Sequence, residues 1–202
     1  MSTTSAELKT KRILIFVILI QGGFVLWSLV SNPEEFFKIL GFAEGLWGTT
    51  AAWMLAAVVA AAYVSSAATI SFVRANLIRW STLKALSIVA ALAAGILEEV
   101  VFRKWLMDFL NNSGYGVAIQ VLVSGFAFGL AHLIWGVKNF KAGVNAVMST
   151  SALGAALAVV YLVGDRSLAP CVVAHIMITA LIEPGLILAA VDDKLGYVRE
   201  SA

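Results

Sequence analysis

Glu98, Glu99 and Arg103 lie within Ile96-Leu97-Glu98-Glu99-Val100-Val101-Phe102-Arg103, a stretch that is otherwise apolar. Two carboxylates and a guanidinium are expensive there, because one ionisable side chain at the centre of a bilayer costs about 2.5–3.5 kcal/mol on insertion scales. The chain has only two histidines, His132 and His175, and each also falls inside an apolar segment. A carboxylate and imidazoles brought together can activate a water and move its proton, so these residues are the candidates for chemistry.

Read as a helix, the stretch separates the two acids. Glu99 and Arg103 are four apart with the acid first, the favoured order for an ion pair. Glu98 points about 100° away and cannot share that pairing equally. The spacing therefore predicts a supporting pair, Glu99 with Arg103, and a Glu98 left facing a cavity, free to take a proton. A salt-bridge cluster that only locks helix packing is the plainer alternative, and it leaves two acids for one arginine. Further on, Gln120, Ser124, Phe128 and His132 recur every four residues and share one helix face. Gly125 and Gly129 form a small-xxx-small pair where another helix can approach closely. His175, Thr179 and Glu183 repeat the four-residue spacing, followed at once by Pro184, which frees a backbone carbonyl about one turn earlier.

These groups need a scaffold, and the composition says which. Of the 202 residues 61% are hydrophobic and 13% charged, about half the charged share of a soluble domain. Mean hydropathy is +0.93. The fold class is an all-α polytopic membrane bundle of about six transmembrane helices, a single membrane domain over residues 1–202 with no linker to divide it. A net charge of +2 gives no basis for nucleic-acid binding. The single cysteine, Cys171, excludes an internal disulfide and reads as a small apolar residue near a helix start.

In chain order, residues 1–12 are polar and Ile13 to Val30 is the first apolar run. It reads as an uncleaved first helix, since no small-x-small site follows it. Asn32-Pro33 breaks that helix, and a short amphipathic helix at Glu34–Leu40 fits the loop. Later spans are expected at about Trp47–Ser71, 83–110, Gly116–Trp135, Ala142–Val163 and Leu168–Val191. Arg74 to Lys84 reads as a connection lying in the interface. Six crossings put both termini on one side. That side collects Lys9, Lys11, Arg12, Arg74, Arg79, Lys84, Lys138, Lys141, Lys194 and Arg199, against Lys38 and Arg166 opposite. The bias makes both termini cytoplasmic. Trp27, Trp47, Trp80, Trp105 and Trp135 fall near span ends, as interfacial anchors do. One conflict remains: Glu98 is mid-span, His132 is near a cytoplasmic end and His175 is nearer an outer end. They meet only if span ends shift.

Three motifs now carry a resemblance. Glu-Glu-x-x-x-Arg at Glu98, Glu99 and Arg103 resembles the first motif of the CAAX-protease and bacteriocin-processing (CPBP) family of intramembrane proteases. Phe-x-x-x-His at Phe128 and His132 resembles the second. His175 with Thr179 resembles the third, His-x-x-x-Asn or -Asp, with threonine in place of the amide or acid. They occur in the family's order over residues 83–191. The resemblance implies that Glu98 and His132 activate a water, that His175 and Thr179 support the oxyanion, and that Glu99, Arg103 and Phe128 hold the site. It implies a peptide or lipidated protein substrate, contact with membrane lipid, and a prokaryotic plasma membrane as the location. Zinc is proposed for such residue sets. Glu98, His132 and His175 would supply three ligands, but the chain has no His-Glu-x-x-His helix.

Two other readings compete. One is a non-enzymatic membrane protein, an immunity factor, scaffold or transporter that keeps the polar core. The other is a rhomboid-type serine protease built on Ser124-Gly125 and His175, although Leu122 stands where that family needs a glycine.

Overall fold

In this computed structural model, which describes residues 5–136 and 139–192, six helices are long and apolar enough to cross a membrane. They are Ser5–Ser31, Thr50–Ala67, Thr82–Asn112, Val117–Ile134, Phe140–Val163 and Ala169–Val191, here the first to sixth spans. No strand occurs among the described residues. Lys138, Lys194, Arg199 and the side chain of Trp135 lie outside what is described.

The span boundaries depart from the hydropathy reading where local chemistry extends a helix. The first span begins at Ser5, not at Ile13. A Glu7–Lys11 ion pair of 2.8 Å at i,i+4 supports the added turns, and Thr10 is fully buried there. The connection Arg74–Lys84 begins in a short helix, Ser71–Asn76, docked on the sixth span, and then runs through exposed Ile78 and Trp80 to the third span at Thr82. Val73 is fully buried, and a Cβ at Gly185 would fall 2.5 Å from its Cα. Only glycine permits that approach. The helix at Pro33–Ile39 is capped by Asn32, whose side chain accepts from the Glu35 amide at 3.2 Å.

Small residues set the helix spacing around the polar core. The fourth span packs on the fifth through Gly125 and Gly129. A Cβ at Gly125 would lie 2.8 Å from the Ala155 nitrogen, and one at Gly129 would lie 2.6 Å from the Val147 carbonyl oxygen. The third span packs on the sixth, where a Cβ at Gly95 would lie 3.3 Å from the Ile176 nitrogen. Gly95 thus brings the backbone beside His175 close to the turn that carries Glu98 and Glu99. The largest buried cluster includes Phe128, Leu157, Tyr161, Val172 and Ile178, between the fourth, fifth and sixth spans.

A clamp at one end of the bundle fixes the register of four spans. Arg166, with a left-handed φ of 62° in the tight turn before the sixth span, donates to Asp108 at 2.7 Å, Asn111 at 2.9 Å and Gln120 at 2.6 Å. Tyr161 donates to the same Asp108 oxygen at 3.0 Å. From this clamp the chain runs nine residues to Glu99, nine to His175 and eight to Phe128. Along the regular α-helix of the fourth span, the eight residues to Phe128 span about 12 Å. The third and sixth spans do meet, at 2.6 Å between Glu99 and His175, while His132 lies one helical turn further along its span than Phe128.

Candidate active site

The acids and Arg103 stand where the third span changes its winding. An α-helix over Thr82–Glu99 passes into a π-helical segment, Val100–Trp105, before resuming as α at Leu106. Such segments place an extra residue in a turn and recur at functional sites. No residue in the stretch announces the change of winding. The Phe102 carbonyl in this segment accepts the buried Ser124 hydroxyl at 2.9 Å. Ser124 is therefore tied to a neighbouring span, which removes the geometric basis for the serine-protease reading.

Glu99 and Arg103 are both fully buried. Arg103 Nε lies 3.0 Å from Glu99 Oε2. The approach is a charge contact rather than an aligned hydrogen bond, since neither atom has a hydrogen-bond partner among the described residues. Arg103 also donates to the Gly154 carbonyl at 3.2 Å and stacks 4.6 Å over the Phe128 ring. The other Glu99 oxygen, Oε1, is 2.6 Å from His175 Nδ1. Arg103, Glu99 and His175 thus form a chain that joins the third span to the sixth, and Glu99 has a second task that its spacing from Arg103 did not reveal. It orients an imidazole, as the carboxylate partner of a catalytic histidine does.

With Nδ1 engaged, His175 presents only Nε2 to the remaining space. Glu98 Oε2 faces it at 3.7 Å. Glu98 keeps 21% of its side chain accessible, against none for Glu99. Two adjacent glutamates on one helix therefore occupy different environments, one locked and one open.

Phe128 stands between the two histidines. Its ring centroid is 4.8 Å from that of His132 and 5.6 Å from that of His175. His132 closes the fourth span's α-helix, begins a 3-10 turn, and bonds through Nδ1 to the Phe128 carbonyl at 2.9 Å. Its Nε2 is left over, and no direct contact joins it to Glu98 or His175 among the described residues. Thr179, half-buried one turn beyond His175, makes no hydrogen bond to a described residue. The structure thus gathers Glu98, Glu99, Arg103, Phe128 and His175 tightly, reaches His132 through Phe128, and leaves Thr179 beside the group.

Among the described residues, no three of His, Cys, Asp and Glu gather closely enough to hold a metal ion. Glu98, His132 and His175 as arranged do not form a zinc ligand set.

Two residues missed in sequence complete the setting. Lys84, read as an interfacial cation, is buried and donates to the Ala180 and Leu181 carbonyls at 2.8 and 3.2 Å. Ala180 is the residue whose carbonyl Pro184 cannot serve. Gly95 is the other, and its signal was only a glycine one turn before the acids.

The sequence profile described as type II CAAX prenyl endopeptidase Rce1-like matches residues 79–181. No curated protein and no solved structure matches the chain significantly. The profile covers just over half of the chain and includes every motif described above. The chain belongs to the Rce1-like type II CAAX prenyl endopeptidase family, an integral membrane protein of a protease family.

Proposed function

We propose that this chain is an intramembrane endopeptidase in which Glu98 takes the proton of an attacking water. The observation that carries the reading is the facing pair, Glu98 Oε2 and His175 Nε2, 3.7 Å apart beside a fully buried Glu99. Glu98 accepts an O–H of the water, which attacks the scissile carbonyl. His175, held by Glu99 through Nδ1, donates from a protonated Nε2 to the developing oxyanion. Glu98 then passes the proton to the leaving amine. In this reading His132 assists in activating the water, and Thr179 offers a hydroxyl to the oxyanion. Glu99, Arg103 and Phe128 hold these groups in place and touch no reacting atom.

The substrate in this reading is a peptide or a lipidated protein tail entering from the cytoplasmic side of a prokaryotic plasma membrane, with both termini of the chain on that side. Thr179, in place of the motif's amide or acid, is the observation that favours the alternative, a non-enzymatic immunity, scaffold or transport role. The test is cleavage of plain and farnesylated fluorogenic peptides by the detergent-purified protein, with and without a chelator. Cleavage of at least one peptide, unchanged by the chelator, is expected. No cleavage of either contradicts the reading, and chelator-sensitive cleavage contradicts its metal-free form.

A further inference from the structure

The polar stripe of the sixth span has a third member that the proposed chemistry does not use. Glu183 lies two residues past the end of the family match. Its Oε2 is fully buried and accepts no hydrogen bond from a described residue. The carboxyl is close enough to Glu98 and His175 to feel both charges. Among the described residues, no cation forms an ion pair with Glu183. Arg103 is held by Glu99 and the Gly154 carbonyl, and Lys84 by the Ala180 and Leu181 carbonyls. His175 is taken by Glu99 and faces Glu98. Among the described residues Glu183 Oε2 therefore has no hydrogen-bond donor, and no ion pair reaches its carboxyl.

A buried acceptor without a donor is costly, and such groups in native proteins call for a specific explanation. A ligand that brings the missing donor supplies one. We infer that Glu183 is a specificity-determining residue that receives a cationic side chain, lysine or arginine, of the peptide substrate. The inference rests on the peptidase reading of the same site. Eight residues of helix separate Glu183 from His175, about 12 Å along the axis. An extended peptide covers about 3.3 Å per residue. The basic residue therefore falls within about four residues of the scissile bond, toward the end of the sixth span that carries Val191. A lysine suits this place, since its apolar stem packs along the helix while its ammonium reaches the carboxylate.

The experiment measures binding, so it does not depend on turnover. Octapeptides with an N-methylated central amide, plain and farnesylated, are titrated into the detergent-purified full-length protein. Lysine is compared with norleucine at each position. The expected result is one position at which lysine binds at least tenfold tighter. That preference falls below twofold in Glu183→Gln and turns toward glutamate in Glu183→Lys, with the elution profile of both variants unchanged. A wild type without lysine preference overturns the inference, as does a preference that survives Glu183→Gln. Cleavage without lysine preference overturns this inference and leaves the peptidase reading standing. Lysine-selective binding without cleavage of the matching unmethylated peptide does the reverse. Failure of every peptide to bind overturns both.

Discussion

Glu98 and Glu99 are identical in chemistry and adjacent in sequence, and their surroundings alone distinguish them. The i,i+4 spacing from Arg103 was enough to separate the pair before any coordinates. It could not reveal that Glu99 also reaches His175 at 2.6 Å, because that contact depends on which helix packs beside it. The Arg103–Glu99 pair is fully buried, so removing one partner strands the other. Arg103→Met should lower stability by about 3–5 kcal/mol, read as loss of the folded fraction in detergent denaturation. Adding Glu99→Gln should recover part of that loss, since the stranded charge is gone. A double variant no better than Arg103→Met would mean that the guanidinium acts mainly through Gly154 and Phe128.

At the scale of elements, apolar length located the six spans, and irregularities within them were invisible. The π segment at Val100–Trp105 holds no proline or glycine to mark a break, and the 3-10 turn at His132–Gly136 has a glycine only at its end. Both arise from how a helix fits its neighbours. The Pro184 effect was half legible. A freed carbonyl follows from the ring, but its partner, Lys84, is a hundred residues earlier and read as an interfacial charge. This gives a cycle that can be measured. Lys84→Met should cost about 1–3 kcal/mol by leaving the freed carbonyl unsatisfied. In a Pro184→Ala background, where residue 184 regains its N–H, the same change should cost clearly less. Equal costs in both backgrounds would separate Lys84 from the proline.

For the whole molecule, the family follows from three short motifs, and their meeting follows from a clamp that no motif announced. Arg166 ties the third and fourth spans to the turn that opens the sixth, yet in sequence it was only a basic residue in a tight loop. Charge bias fixes the proposed orientation. A membrane-impermeant maleimide should label Lys38→Cys in intact cells and Arg79→Cys only after permeabilisation, while buried Cys171 stays unlabelled. The opposite pattern would invert the topology and move substrate entry to the other face. The substrate itself was not legible, because the same acid and imidazole chemistry serves any peptide bond brought to it.

The most direct test of the central claim compares wild type with Glu98→Gln in one reconstituted preparation, measuring binding and cleavage of the same peptide. Glutamine keeps the shape of the side chain and cannot take the proton. The account predicts binding within about twofold of wild type and cleavage reduced by about 10²–10⁴-fold, the range for a positioned general base. Cleavage at the wild-type rate by Glu98→Gln would contradict it.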